Sequence, residues 1–153
     1  MNKYFVVLVV PLLFGCTDPG KPLTNNEKEE VLHGAKLLVD TIYQACQSCD
    51  PGMLTATFLD SPDFFSFIDG KYADYKETVK KYPELMKEFK TQKAFIVQEK
   101  YLVIDPSNVL YTSNSNWVCK LQNDSAVFGN CKLEFLLRKE DSHWKVLSWT
   151  EAY

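Results

Sequence analysis

The hydrophobic pattern of this chain changes its period near residue 92, and this change constrains the fold more than any other feature. Before that point apolar residues recur at helical spacing, and after it β-branched and aromatic residues form strand-like runs. Helices followed by a series of antiparallel hairpins are typical of the α+β class. The sequence therefore predicts one α+β domain over residues 24–153, with the helices packed on a sheet.

The longest predicted element is an amphipathic helix over residues 25–47. Thr24 and Glu27 have the spacing of a capping box, which marks a helix start. The apolar face of this helix comprises Val31, Ala35, Leu38, Ile42 and Cys46. A short second helix is predicted after it, because Asp50 is a favourable N-cap and Pro51 a favourable first helical residue.

Turn residues and β-propensity predict the remaining elements. Residues 63–68 form a strand candidate that ends at the turn Asp69-Gly70. A third helix is expected over 72–82, with an interruption at Pro83 and a helical continuation over 84–90. Four further strands are predicted over 93–104, 109–121, 131–139 and 143–153.

Residues 1–16 have the order of an export signal. Lys3 precedes a short apolar stretch that is below the roughly 17–25 residues a membrane-spanning helix needs. The stretch ends in Leu-Phe-Gly-Cys, which resembles a bacterial lipobox. The resemblance implies a signal peptide over 1–15, a lipidated Cys16 and a Pro/Gly-rich tether over 16–23. We expect a protein anchored by lipid to a membrane of the bacterial cell envelope, facing the periplasm or the exterior; a buried first element with an incidental cysteine is the alternative.

The cysteines other than Cys16 form an even set of four. They are Cys46, Cys49, Cys119 and Cys131. In an oxidising compartment an even set favours disulfides, with three possible connectivities. A hairpin turn centred near Ser125 places Cys119 opposite Cys131, which favours the pairs Cys46–Cys49 and Cys119–Cys131. The alternatives are a four-cysteine zinc site, for which the second pair is widely spaced, and a redox-active Cys-Gln-Ser-Cys motif.

The order of elements and two segments resemble the nuclear transport factor 2-like superfamily, which includes SnoaL-like proteins and has a cystatin-like α+β fold. Residues 65–71 resemble its first strand and turn, and residues 133–147 resemble its closing hairpin, with an apolar strand, an acidic turn and Trp-Lys-Val. The resemblance implies a curved sheet packed on helices around a conical cavity. This fold hosts enzymes, binding modules and dimerising scaffolds, so it does not select a function. An unrelated α+β sandwich is the alternative.

Candidate catalytic residues are few. His33 falls on the polar face of the first helix and His143 at a turn, so neither is well placed as a general base. Two distant histidines also supply no metal triad. Glu99 and Tyr101 share a face of a predicted strand, which permits an acid–base pair; an exposed strand face is the alternative. No serine-hydrolase, phosphate-loop or nucleotide motif is present, and we expect no metal and no cofactor.

Aromatic residues make up 14% of the chain and suit either a core or an apolar pocket. The candidate ligand-binding side chains are Tyr43, Phe65, Tyr111 and Trp117. The last predicted strand alternates Trp149 and Leu147 with Trp144 and Val146, so both faces are apolar and a homodimer through the sheet is a reasonable hypothesis.

Charge and motifs together limit the function classes. The formal net charge of −3 lacks the basic balance of nucleic-acid-binding proteins. The sequence predicts a lipid-anchored domain that binds a small apolar ligand or a protein partner. The alternatives are an isomerase or dehydratase that uses a cavity carboxylate and a tyrosine, and a dimerising assembly module.

Overall fold

A computed structural model describes residues 22–153, which form the predicted α+β architecture. The helices are α1 (Asn25–Ser48), α2 (Pro51–Thr55) and α3 (Tyr75–Met86). The strands are β1 (Phe65–Ile68), β2 (Lys71–Asp74), β3 (Phe89–Asp105), β4 (Asn108–Leu121), β5 (Ala126–Glu140) and β6 (His143–Ala152). The predicted signal peptide, Cys16 and most of the tether lie outside the described residues. No helix within residues 22–153 has the length and apolar character of a membrane span.

The six strands form one sheet in the order β2-β1-β6-β5-β4-β3. Neighbouring strands are antiparallel except β1 and β6, which are parallel. Register shifts interrupt the long β3–β4 ladder at three points, and such bulges bend a strand and increase its twist. The helices pack on one face of the bent sheet, and the core lies between the two layers.

The first two helices begin where their sequence predicts. Thr24 caps α1, and its backbone N–H donates to the Glu27 carboxylate at 2.7 Å while the Glu27 N–H donates back to the Thr24 hydroxyl at 3.3 Å. The helix ends at Cys49, whose φ of 51° is left-handed and breaks the helical path. Asp50 caps α2 by accepting a hydrogen bond from the Met53 N–H.

The predicted start of the third helix was wrong. Asp69 and Gly70 both have positive φ, 48° and 77°, as a tight hairpin turn requires, so the chain returns along β1 as strand β2. Helix α3 begins only at Tyr75, after Asp74 has capped it by accepting from the Glu77 N–H at 2.9 Å.

The predicted interruption at Pro83 was also wrong, since α3 continues through this residue to Met86. Proline removes one backbone hydrogen bond from the helix. The last turn is held by packing instead, because Met86 is buried in the core.

The predicted register of the β4–β5 hairpin was wrong. Its turn lies two residues earlier in the chain, with Asp124 in a left-handed conformation. Cys119 therefore faces Val127, and Cys131 faces Ser115. The two cysteines are offset along the ladder, and the predicted Cys119–Cys131 disulfide is not formed.

The faces of β6 also differ from the predicted alternation. A bulge at Leu147 lets Val146 and Trp149 both pair with inward residues of β5. Trp149 is 3% exposed in the core, so it does not form an outer apolar face. Trp144 packs against Gly34 of α1 so closely that a Cβ on the glycine would lie 2.3 Å from the indole nitrogen.

Candidate functional site

A cavity of about 530 Å³ lies between the helices and one end of the sheet. Its walls come from α1, from α3, from the end of β1 and from strands β3 to β6. Most of its lining is apolar, including Ile42, Leu85, Phe89, Val127 and Leu133. This volume lies within the range of small-molecule sites, which are mainly apolar and contain few polar groups.

Glu151 is the buried carboxylate of this cavity. It lies on the same face of β6 as Trp149, because strand residues two apart share a face, and it is 8% exposed. The Trp149 indole N–H donates to its Oε2 at 2.9 Å, and the Tyr153 hydroxyl donates to its Oε1. The Cys131 thiol is 3.7 Å from the same Oε1.

Burial outweighs these hydrogen bonds and raises the pKa of Glu151 above its ordinary value. The donors from Tyr153, Trp149 and Cys131 oppose the rise, because each stabilises the ionised carboxylate. A carboxyl group with a raised pKa can both donate a hydrogen bond to a ligand and exchange a proton with it.

Two further polar groups of the cavity lining are buried without a hydrogen-bond partner. They are the Tyr82 hydroxyl and the Trp117 indole N–H. Burial raises the pKa of Tyr82, and Glu151 is the charged group that adds most to this rise. Unsatisfied buried polar groups cost stability and are uncommon in native proteins. Polar atoms of a bound ligand can form hydrogen bonds with the Tyr82 hydroxyl and the Trp117 N–H.

Tyr43 links the cavity to a buried polar network. Its ring lines the cavity and stacks on Trp117, with ring centroids 6.1 Å apart. Its hydroxyl lies 3.1 Å from the Tyr111 hydroxyl and 3.0 Å from the Ser113 hydroxyl. Burial raises the pKa of both tyrosines above its ordinary value.

The predicted acid–base pair of Glu99 and Tyr101 receives no support from this geometry. Glu99 is exposed and does not line the apolar cavity. Its carboxylate accepts a hydrogen bond from Tyr111 at 3.3 Å, while the Tyr101 ring packs against the Tyr111 ring.

Two of the four predicted ligand-binding side chains, Tyr43 and Trp117, line the cavity. Tyr111 is fully buried and contributes its hydroxyl to the network next to the cavity. Phe65 lies on the opposite face of the sheet, stacked on Tyr72.

Sequence reasoning missed Glu151, Tyr82 and Tyr153. The available signal was the spacing of Trp149 and Glu151. Residues two positions apart in a strand share a face, so a buried Trp149 predicts that Glu151 also faces the core.

The four cysteines Cys46, Cys49, Cys119 and Cys131 all have free thiols in the structure. Across residues 22–153, no group of three or more His, Cys, Asp or Glu side chains is arranged to hold a metal ion. Cys46 and Cys49 lie at the C-terminal end of α1, where the helix dipole does not stabilise a thiolate. Burial raises the pKa of Cys46 to about 12, which is the opposite of an activated redox thiol.

Comparisons with known proteins show the fold. Neither a protein-family model nor a curated protein matches the sequence. A protein of the nuclear transport factor 2-like family from Streptomyces avermitilis, provisionally named a dehydratase, superposes with a TM-score of 0.73 at 16% identity, covering 81% of this chain and 96% of that one.

Two other solved structures have the same architecture. A nuclear transport factor 2-like superfamily protein from Salmonella enterica serovar Typhimurium gives a TM-score of 0.72 at 11% identity, covering 82% of this chain and 92% of that one. A hexachlorocyclohexane dehydrochlorinase gives 0.71 at 9% identity, with coverages of 84% and 88%. The chain therefore has the nuclear transport factor 2-like fold, with helices packed on a curved six-stranded sheet.

Proposed function

We propose that the domain binds a small, largely apolar molecule in the cavity and orients it by a hydrogen bond to Glu151. The observation that carries this proposal is a carboxyl group 8% exposed at the wall of an apolar cavity of about 530 Å³. An apolar ligand gains from leaving water, and a buried carboxyl group fixes its orientation through a hydrogen bond. The unpartnered Tyr82 hydroxyl and Trp117 N–H offer two further contacts to polar atoms of the ligand.

Three related probes test this binding. They are 2-naphthol, which is neutral and forms hydrogen bonds, naphthalene, which does not form them, and 2-naphthoate, which is an anion. We expect 2-naphthol to bind most tightly, because it fills apolar space and can donate a hydrogen bond to the carboxyl group, and 2-naphthoate least, because its own charge would have to leave water. Binding is measured by the fluorescence of Trp117 and Trp149, which line the cavity, and by thermal unfolding. A ligand at one hundred times its Kd adds about 2.7 kcal/mol to stability.

A pair of matched variants locates the site. Val127 lines the cavity and is 51% exposed, whereas Leu102 is 52% exposed and does not line it. Val127→Trp places a large ring at the cavity wall and should weaken 2-naphthol binding at least tenfold, while Leu102→Trp should leave it unchanged. Equal effects of the two substitutions, or no stabilisation by any of the three probes, would contradict the proposal.

Proton-transfer catalysis at Glu151 is a second candidate, favoured by the raised pKa of this carboxyl group in a water-poor cavity. The ionised carboxylate would take a proton from a carbon next to a substrate carbonyl and return it to a second carbon, which is an isomerisation. The probe is 3-cyclohexenone, whose conjugated product absorbs in the ultraviolet. Turnover should disappear in Glu151→Gln and persist in Glu99→Gln; equal turnover in both variants excludes this mechanism.

A homodimer through the outer face of the sheet remains a proposal, supported by the exposed Phe65, Phe67 and Tyr72 on β1 and β2. Phe67→Asp is the informative variant, since Phe67 is exposed. Light scattering should show a dimer in the parent chain and a monomer in the variant; a monomeric parent chain refutes the dimer.

We also propose that a lipid on Cys16 anchors the domain to a bacterial envelope membrane. The support is the order of charged, apolar and small residues before this cysteine. Expressed in a bacterium, the parent chain should partition into the detergent phase and incorporate labelled palmitate. Cys16→Ser should do neither, and labelling that persists in this variant contradicts the anchor.

A further inference from the structure

Solvent reaches one thiol at the end of α1 and one near the end of β4. Cys49 and Cys119 are both partly exposed, whereas Cys46 and Cys131 are buried. Cys49 is the C-cap of α1, and Cys119 lines the cavity. An oxidant in solution therefore has access to one thiol of the helix layer and one of the sheet.

Both partly exposed thiols adjoin the side chain of Gln92. The Gln92 amide nitrogen lies 4.0 Å from the Cys49 sulfur. Gln92 is also the partner of Cys119 in the β3–β4 ladder, and residues directly opposite in an antiparallel pair share a face, with Cβ atoms about 4.5–5.5 Å apart. Burial is the main cause of the raised pKa of Cys119, and Cys49 is the charged group that adds most to it. The two thiols thus lie beside the same residue, Gln92.

We propose that Cys49 and Cys119 form an oxidisable pair, whose disulfide ties the end of α1 to the β3–β4 wall of the cavity. The oxidant is a small-molecule or protein disulfide. One cysteine thiolate attacks a sulfur of the oxidant and expels a thiolate, and the second cysteine attacks the mixed disulfide and expels the other. The protein loses two electrons and two protons, and the oxidant becomes two thiols.

The other thiols are poorer partners in this exchange. Burial raises the pKa of Cys46 to about 12, so little thiolate forms near neutral pH. Cys131 is fully buried, with its sulfur 3.7 Å from a Glu151 oxygen. The proposed pair joins two layers of the fold, whereas a Cys46–Cys49 bridge would lie at the end of a single helix.

Peptide mapping identifies the bridge without any ligand for the cavity. The full chain carrying Cys16→Ser is incubated with oxidised glutathione at pH 8.5, alkylated and digested with trypsin. Cleavage after lysine places Cys46 and Cys49 in peptide 37–71, Cys119 in peptide 101–120 and Cys131 in peptide 121–132. We expect a disulfide between peptide 37–71 and peptide 101–120. This disulfide should be lost in Cys49→Ala and kept in Cys46→Ala.

Thermal unfolding gives an independent readout. Oxidation should raise the Tm by several degrees, because a bridge between distant residues restricts the unfolded chain, and dithiothreitol should reverse the rise. The proposal is overturned by a link that survives in Cys49→Ala, by a link to 121–132, or by four thiols that stay free after oxidation. Because the readout is the bridge itself, failure of the ligand-binding proposal leaves this result unaffected.

Discussion

Replacing Glu151 by glutamine should change how the stability of the domain depends on pH. Burial raises the pKa of Glu151 in the folded protein, while in the unfolded chain it ionises near 4.5. Between these two values the folded state holds a proton that the unfolded state has released. The free energy of unfolding therefore contains a contribution from Glu151 that is complete below about pH 4.5 and is lost as the pH rises through the folded pKa.

The size of this loss follows from proton linkage. A difference of one bound proton changes the free energy of unfolding by about 1.4 kcal/mol per pH unit. Glutamine has the same shape and no ionisation, so this contribution is absent from Glu151→Gln. The stability of the variant relative to the parent should rise with pH by up to about 1.4 kcal/mol per unit across this window, because all other titrating groups are common to both.

Urea unfolding at pH 4.5, 5.5 and 6.5, followed by tryptophan fluorescence, measures this difference directly. Glu134→Gln is the control, since Glu134 is exposed on the opposite face of the sheet, and its stability relative to the parent should stay constant. A constant difference for Glu151→Gln as well would refute the argument, because it would mean that Glu151 ionises alike in the folded and unfolded states.

Three further predictions concern stability and the Glu99 carboxylate. Gly34→Ala should destabilise the domain by about 1–3 kcal/mol in urea unfolding despite its gain in helix propensity, because the added methyl group would clash with the Trp144 indole ring. Asp50→Ala should cost about 1 kcal/mol in the same assay, since the Met53 N–H loses its cap. Glu99→Gln should change 2-naphthol affinity less than twofold in fluorescence titration, because Glu99 lies outside the cavity.

Local chemistry determines the parts of the fold that the sequence predicts well. The capping box of Thr24 and Glu27 and the turn Asp69-Gly70 each act through hydrogen bonds or φ preferences within a few residues. The β4–β5 register depends on which residue of a polar loop takes the left-handed conformation. Asp124 does so, and the two-residue shift separates Cys119 from Cys131.

The candidate site was harder to predict because it depends on bulges and on pairing between distant strands. Strict alternation places Val146 and Trp149 on opposite faces, and the bulge at Leu147 places both inward. Glu151 follows Trp149 to the same side, where its ladder partner is the inward Leu133. A single added residue in β6 thus helps to set the face on which Glu151 lies, and the residue types of Glu99 and Glu151 do not distinguish the exposed carboxylate from the buried one.

The Tyr82→Phe variant tests whether the Tyr82 hydroxyl serves ligand binding or only the packing of the core. The Tyr82 hydroxyl is buried without a partner, and leaving such a group unsatisfied costs about 1–3 kcal/mol. Removing it should raise the free energy of unfolding by about 1 kcal/mol in urea, and should weaken 2-naphthol binding while leaving naphthalene binding unchanged. Tyr43→Phe is the matched control, and it should destabilise the domain because the Tyr43 hydroxyl has two partners. Equal destabilisation by both substitutions would show that the Tyr82 hydroxyl has a structural partner and is not kept for a ligand.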